Sequence, residues 1–398
     1  MNPNEAVEGA GTIREEPEKP QHTPQPEAAP PQPVVRHHEH HKAITMADIA
    51  KAAGVSQGAI SSLLNDRDYG IRVSDKTRER VFKVCRELGY VPNDLRAVVR
   101  MYPERGELCL LVSREIGSVM HDSFFSRVLD AGQKAGSDAS HTITITHFAP
   151  ALDYAENPDA LPLPASTGTA SKYLCIGTPN LSLLQSLTRR GFGVSCIGCE
   201  IALPGVTSIL PDFADASQQA VEYLFKLGHK RIAILSGPFG STAHHIIELN
   251  RGVRLAYEKM GVFIEAQNII YGDLTFKNGF NSLDVLLDRT PQPTAVFCLN
   301  DDAAAGVIAR ALSKRLRVPA DLSVLGCSDD LFAQWIYPAL STVHIPAEEM
   351  AEAGVREIER RVHDRDHGMA DTKKIVLPVR LVERESCAPP NQSSSDPK

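Results

Sequence analysis

The sequence predicts a small all-α domain followed by an α/β body of two doubly wound subdomains. Between residues 45 and 65, apolar side chains recur at helical spacing on both sides of one glycine, which is typical of two short packed helices. From about Gly106 onward, apolar strand-like runs alternate with helical segments, a rhythm typical of parallel sheets. The rhythm restarts at RIAILSG, residues 231–237, and therefore predicts a second α/β unit.

Two helices and a turn are predicted in the stretch TMADIAKAAGVSQGAISSLLN, residues 45–65. Thr45 and Asp48 have the spacing of a capping box, and Gly54 supplies a turn in which a residue free to take positive φ is least strained. Ser56 is placed to cap the second helix. The predicted buried positions are Met46, Ile49, Ala50, Ala53, Ile60, Leu63 and Leu64.

The outer face of the second helix is short and polar, as entry into a DNA major groove requires. It carries Gln57, Gly58, Ser61, Ser62 and Asn65. Gln57 is the candidate for an adenine contact, because glycine at 58 offers no side chain to a base. The residues expected to position phosphates are Thr45, Ser56, Ser61 and Asn65. Two amphipathic helices around a glycine also occur in ordinary cores, so this pattern alone leaves both interpretations open.

A third helix completes the predicted domain, residues 43–92. It begins after Ser74, an N-cap, and stops at Gly89. Residues 43–103 contain 10 Lys and Arg against 7 Asp and Glu, although the whole chain has a net charge of −7. The slight basic excess therefore belongs to the segment expected to meet DNA.

The chain resembles the lactose-repressor/galactose-repressor (LacI/GalR) family over roughly residues 44–386. After the helix–turn–helix, the motifs that carry the resemblance are VSDKTRERV, ELGYVPN, LGHKRIAIL, PTAVFCLNDDAAAG, VPADLSVLGCSDD, PALSTVHIP and VLPVRLVERES. The resemblance implies a dimeric regulator, most simply a repressor, that binds a near-palindromic operator in double-stranded DNA. It also implies that residues 106–386 form a periplasmic-binding-protein-like body for dimerisation and effector binding.

Residues 93–105 correspond to the family's hinge helix and linker, with Arg96, Val99 and Arg100 as candidate DNA contacts. In relatives, a leucine of this helix inserts into the minor groove of the operator and opens it. Val99 occupies the same position here and has a shorter side chain to insert. The alternative is that residues 93–100 form only a linker helix.

The resemblance places a small-molecule effector in the cleft between the subdomains, outside the carboxyl ends of the strands. Candidate contacts are Phe124, Phe125, Asp212, Asp301, Ser328 and Asp329. The two phenylalanines fit a ring stack or the core, and the two aspartates Asp212 and Asp301 fit ligand contacts or helix caps. The charged clamp of sugar-binding relatives is altered, with Gly198, Leu249 and Ser328 where acid, arginine and aspartate are usual. Either the effector is unusual, or ligand control has been lost.

Other functional classes are disfavoured. The sequence has no export signal and no apolar run of 18 residues, which predicts a cytoplasmic protein without membrane contact. The pair Cys196 and Cys199 lacks an activating helix N-terminus, and no motif predicts an enzyme, a cofactor or a metal site. A solute-binding protein and an architectural DNA binder without an effector remain the alternatives. The Pro- and His-rich residues 1–42 and the tail 387–398 are expected to be disordered.

Overall fold

A computed structural model describes residues 44–65, 73–90, 107–114, 123–363 and 371–391 of the chain. The first two segments form the helical domain, with α1 Met46–Ala53, α2 Gln57–Asn65 and α3 Asp75–Glu87. The predicted caps are confirmed, since Ser74 accepts a hydrogen bond from the Thr77 N–H at the start of α3. The small core consists of Ile49, Ala50, Ala53, Ile60, Leu64, Val81, Phe82 and Cys85. All three helices contribute to it.

The N-terminal subdomain is a six-stranded parallel sheet in the order β11-β5-β4-β3-β1-β2. Its strands are β1 Glu107–Ser113, β2 Ile143–Phe148, β3 Ala170–Ile176, β4 Gly193–Ile197, β5 Val206–Pro211 and β11 Lys373–Leu377. Its helices are α4 Ser123–Asp138, α5 Leu163–Thr167, α6 Leu181–Arg189 and α11 Ala347–His363. The central strands β1 and β3 are buried along almost their whole length because helices cover both faces.

The C-terminal subdomain is a four-stranded parallel sheet in the order β7-β6-β8-β9. Its strands are β6 Ile232–Ser236, β7 Ile269–Tyr271, β8 Ala295–Cys298 and β9 Ser323–Leu325. Its helices are α7 Phe213–Lys226, α8 His244–Lys259, α9 Phe276–Leu287 and α10 Asp301–Ser313. Both predicted α/β units are therefore present.

The chain passes between the subdomains three times: after β5, after β10 Thr342–His344, and between β11 and β12 Arg380–Val382. Strands β10 and β12 pair antiparallel in a separate ribbon. The run VLPVRLVER, which reads as a single terminal strand, is thus divided between two sheets. It divides at Pro378, which has no N–H to donate to a ladder.

Two boundaries differ from the sequence expectation. Helix α8 begins at His244, eight residues before the expected Gly252, and its buried stripe already includes Ile246 and Leu249. The start of the expected loose tail at residue 387 is wrong as well. The carbonyl of Ala388 accepts a hydrogen bond from the Ser323 hydroxyl and lies 2.9 Å from His229 Nε2, and the Asn391 amide donates to the carbonyl of Ala320. In the described segments, we find no helix with the length and apolar character needed to cross a membrane.

Candidate DNA-binding surface and effector cleft

The first turns of α1 and α2 are fixed by side-chain caps. The Thr45 N–H donates to the Asp48 carboxylate at 2.9 Å, and the Asp48 N–H donates back to the Thr45 hydroxyl at 3.3 Å. The Ser56 hydroxyl accepts a hydrogen bond of 3.2 Å from the Ala59 N–H. Gly54 ends α1 with φ of 62°, which lets the chain reverse into α2 without strain.

The N-terminal ends of α1 and α2 border one open concavity of about 510 Å³. Its lining consists of Thr45, Met46, Ala47, Gln57, Gly58 and Ser61. Two helix N-termini carry partial positive charge toward this space, which favours anionic groups such as phosphates. Gln57 is exposed at its edge, whereas Ile60 and Leu64 of the same helix are buried. Four of the predicted DNA contacts, Thr45, Gln57, Gly58 and Ser61, are thus brought together.

The other predicted DNA contacts are less completely placed. Ser56 is exposed at the start of α2, and Ser62 is half-buried on its second turn. The side chain of Asn65 lies outside the described part of the structure, as do Arg96, Val99, Arg100 and the whole hinge segment 93–105. The roles assigned to these residues stay predictions.

Phe124 and Phe125 begin α4 and contact each other edge to face, with ring centroids 5.3 Å apart. Both are partly buried and pack against the large core cluster that extends across both subdomains. Sequence reasoning missed a further ring, Phe213 at the start of α7. Its centroid lies 6.1 Å from the ring centroid of His245 and 6.4 Å from that of His244. All three phenylalanine rings thus lie in the first turns of their helices, α4 and α7.

Asp301 is fully buried at the first position of α10, and its carboxylate is already engaged. Oδ1 accepts from the Thr342 hydroxyl at 2.6 Å, and Oδ2 accepts from the Asp330 N–H at 2.8 Å. Burial, followed by the nearby charge of Asp330, raises the pKa of Asp301 above its usual range. A solvent-facing ligand contact is not available at this position in the structure.

Ser328 and Asp329 form the turn that follows β9, with φ of 153° and 59°, respectively. Asp329 lies 2.9 Å from His344 Nδ1 and accepts a hydrogen bond of 2.6 Å from Arg384. Although burial acts to raise it, these two partners bring the pKa of Asp329 down to about 2. The Asp212 carboxylate caps α7 by accepting from the Asp215 N–H. Both aspartates therefore have structural partners.

Two of the altered clamp positions, Leu249 and Gly198, offer no polar side chain in the structure. Leu249, where arginine is usual, is 3 % exposed and belongs to the large core cluster. Gly198 turns with φ of 80° at the end of β4. Nearby polarity comes from Ser236, whose hydroxyl donates to Asn250 Oδ1 at 3.0 Å. Sequence reasoning missed this pair, because a serine and an asparagine 14 residues apart match no motif.

The Cys196–Cys199 pair lies against a third thiol, since Cys175 is the register partner of Cys196 on the neighbouring strand β3. Hydrogen bonding between these thiols, together with burial, holds the pKa of Cys196 and Cys199 well above the usual range. Thiolate chemistry is therefore disfavoured here. Over the described residues, no group of three His, Cys, Asp or Glu side chains has an arrangement suited to a metal ion. The histidines 37–41 lie outside them.

Relatives of known class share this architecture. The chain is 30% identical over 313 residues to the HTH-type transcriptional repressor CytR of Escherichia coli K12, covering 77% of this chain and 86% of that one. It is 28% identical over 320 residues to the probable HTH-type transcriptional repressor ExuR of Bacillus subtilis, covering 79% and 90%.

Solved structures show the same fold. The lac repressor dimer bound to operator and the anti-inducer ONPF superposes with a TM-score of 0.61 at 22% identity, covering 87% of this chain and all of that one (100%). A transcriptional regulator CelR–cellobiose complex superposes with a TM-score of 0.59 at 24% identity, covering 86% and 99%.

Family models match both parts of the chain. The periplasmic binding protein-like domain matches residues 221–387, and the model described as bacterial regulatory proteins, lacI family, matches residues 45–93. The second match contains the capped helices and the concavity between them. The chain therefore belongs to the LacI family of bacterial transcription regulators, which bind DNA through a helix–turn–helix.

Proposed function

We propose that this protein is a dimeric, cytoplasmic repressor that places α2 of each subunit in the major groove of a near-palindromic operator. It acts by binding and carries out no catalysis. A small molecule in the body sets the DNA affinity. The observation that carries the proposal is the concavity in which the N-termini of α1 and α2 converge on Gln57 and Ser61.

The electrostatics of this surface support phosphate contacts on either side of the recognition helix. Capped helix N-termini present backbone N–H groups and partial positive charge, so phosphates fit where Thr45 and Ser56 lie. Gln57, exposed in the first turn of α2, can donate to N7 and accept from N6 of adenine through its amide. Affinity should therefore fall steeply with salt, by roughly one unit of log–log slope for each phosphate neutralised.

The related repressor in its operator complex is a dimer, and this supports two half-sites. In a dimer, the two copies of α2 enter major grooves separated by about one helical turn, roughly 34 Å. The hinge assignment of residues 93–105 and the domain boundaries 43–92 and 106–386 are part of the same proposal.

The ligand that controls this protein is not held by a charged clamp. One related regulator has cellobiose bound and another has ribose bound. Here, Leu249 is buried in the core, Asp301 is engaged by Thr342, and Asp329 is paired with Arg384. A ligand bound mainly through ring and apolar contacts, with few charged groups, suits Phe124, Phe125 and Phe213 better than a monosaccharide does.

The decisive experiment selects bound duplexes from a random pool with the purified full-length chain at low salt. Recovery of a near-palindromic motif, bound more tightly than bulk competitor DNA, is the expected result. Gln57→Ala should relax the motif at one base pair per half-site, whereas Arg251→Ala, an exposed substitution on α8, should leave it unchanged. A pool with no enriched sequence would refute the proposal.

A thermal-shift screen then tests ligand control against monosaccharides, nucleosides and aromatic acids. A compound that raises the melting temperature and changes operator affinity supports the proposed control. If compounds bind without changing operator affinity, or none binds, the protein is a DNA binder without effector control, the alternative class.

A further inference from the structure

One guanidinium connects the two subdomains beside Ser328 and Asp329, two of the candidate effector contacts. Arg127 lies on α4 of the N-terminal subdomain, and its side chain is 9% exposed. Its Nε and Nη2 donate to the two carboxylate oxygens of Glu348 at 2.8 Å and 2.7 Å. Because Glu348 is on α11, which also packs on the N-terminal sheet, this two-pronged contact fixes the guanidinium to that subdomain.

The remaining donors of Arg127 reach the other subdomain and the crossover. Nη1 donates to the carbonyls of Ser328 and Asp329 at 3.2 Å and 3.4 Å, and Nη2 donates to the carbonyl of Ile345 at 3.3 Å. The carboxylate of Asp330 lies 3.8 Å from Nη1. Ser328 and Asp329 follow β9 of the C-terminal sheet, so any rotation between subdomains must change these distances.

The turn that Arg127 contacts has an unusual backbone. Ser328 and Asp329 both have positive φ, although neither is glycine, and such backbone conformations are strained. A strained backbone of this kind persists only where several surrounding contacts hold it in place. Here, the Asp330 N–H bonds to Asp301, the Asp329 carboxylate is held by Arg384, and the Ser328 carbonyl accepts from the Ile345 N–H as well as from Arg127.

We infer that Arg127 is the residue through which the turn 328–330 at the cleft is coupled to the N-terminal subdomain, and hence to DNA binding. This inference rests on the proposed function and adds to it a physical route for its regulation. Ser328 and Asp329 are the predicted ligand contacts, and Arg127 connects their carbonyls to α4 and α11. A ligand that moves the turn must therefore alter contacts inside the N-terminal subdomain. By linkage, operator DNA must bias the same contacts from the other side.

An inert structural role is the competing explanation. Removing a buried guanidinium from its carboxylates lowers stability in either case, so loss of stability does not distinguish the two. The distinguishing quantity is the response of the turn to DNA. Operator DNA should change the exchange rates of the Ser328 and Ile345 amides, which are bonded to Val343 and Ser328, respectively.

The test is amide hydrogen exchange on the full-length protein with and without the selected operator duplex. In the wild type, operator binding should change exchange at these amides by about fivefold or more, the lower end of typical coupling between sites. In Arg127→Met the change should fall below about twofold, while operator binding itself persists. Arg127→Lys keeps the charge but lacks the planar fork, and should give an intermediate response.

A control variant distinguishes loss of the Arg127 contacts from loss of any guanidinium. Arg251→Met removes an exposed guanidinium that pairs with Glu248 in its own helix, and should respond like the wild type. If Arg127→Met fails to fold, the double variant Arg127→Met, Glu348→Met is tested instead, because it removes the buried two-pronged ion pair as a unit. A wild-type turn that ignores bound operator, or a variant that responds fully, would overturn the inference with the proposed function intact.

The DNA-free protein offers an independent check. In DNA-free Arg127→Met, the Ser328 and Ile345 amides should exchange at least about fivefold faster than in the DNA-free wild type. Amides in the centre of β6 should exchange at the wild-type rate, because the lost contacts are local. Equal acceleration in both places would reduce Arg127 to a general structural role and refute the coupling. Failure to bind any duplex would refute the proposed function instead.

Discussion

The hydroxyl of Thr342 donates a 2.6 Å hydrogen bond to the fully buried carboxylate of Asp301. Thr342 begins β10, the strand that leads into a subdomain crossover, and Asp301 begins α10 of the C-terminal subdomain. The bond thus ties the crossover strand to the start of a helix. It also uses a carboxylate that the sequence suggests as a candidate ligand contact.

The buried carboxyl predicts a distinctive dependence of stability on pH. Burial raises the folded-state pKa of Asp301 to about 7, above the unfolded value of about 3.9. As pH rises between these values, the unfolded chain loses its proton first, so the free energy of unfolding falls across this window. Asp301→Asn should therefore flatten the pH dependence of the melting temperature between pH 5 and about 7.

Asp321→Asn is the matched control for this measurement. Asp321 is exposed, and the hydrogen bond from Arg317 brings its pKa down to about 2. Its stabilising contribution is complete above the ordinary aspartate range and is lost only as pH falls toward 2. The slope between pH 5 and about 7 should stay as in the wild type. An Asp301→Asn protein with an unaltered slope would show that Asp301 is ionised throughout.

Local signals account for what the sequence predicts best. Thr45, Ser56 and Ser74 each cap a helix within three residues of their own position, so the chain segment itself contains both partners. The alternation of apolar strands and helices predicts both α/β units for the same reason. Local patterns do not predict contacts between residues that are far apart in the sequence. The contacts of Arg127 lie 201 to 221 residues further along the chain, and no periodicity brings them together.

The candidate effector site illustrates the same limit. Asp301 and Asp329 fit a ligand-binding motif by sequence, but whether their carboxylates face a cleft depends on Thr342, His344 and Arg384. Sequence alone left ligand contact and structural cap as equal options for Asp212 and Asp301. The hydrogen bonds of the folded chain favour the structural one.

Ser74→Ala should destabilise the helical domain by about 0.5–2 kcal/mol, because it removes the acceptor for the Thr77 N–H at the start of α3. Hydrogen exchange of the α3 amides measures this loss without requiring the whole chain to unfold. Ser74→Asp retains an acceptor at the cap and should remain near the wild type. Equal exchange in both variants would exclude capping as the contribution of this residue.

Gln57→Ala should reduce discrimination at one operator base pair by about 1–3 kcal/mol, as expected when a bidentate base contact is lost. Titrations against operators substituted at each position in turn would locate that base pair. Ser61→Ala is the matched variant in the same helix, and as a phosphate-positioning residue it should weaken all operators alike. If Gln57→Ala weakens all operators uniformly, Gln57 does not read a base.

Gly252→Ala tests how closely two helices of the C-terminal subdomain approach each other. A Cβ at Gly252 on α8 would lie 2.0 Å from the backbone carbonyl oxygen of Ala214 on α7, so the helices must separate. Overpacking of this kind costs about 1–3 kcal/mol, more than the gain in helix propensity from alanine. Chemical denaturation of Gly252→Ala should therefore show a lower denaturant midpoint for the body than in the wild type.

Gly132→Ala on α4 is the matched control. A Cβ at Gly132 would lie 3.2 Å from its nearest neighbour, the end of the Leu174 side chain, which can rotate away. A Gly252→Ala protein as stable as Gly132→Ala would mean that α7 and α8 are free to move apart.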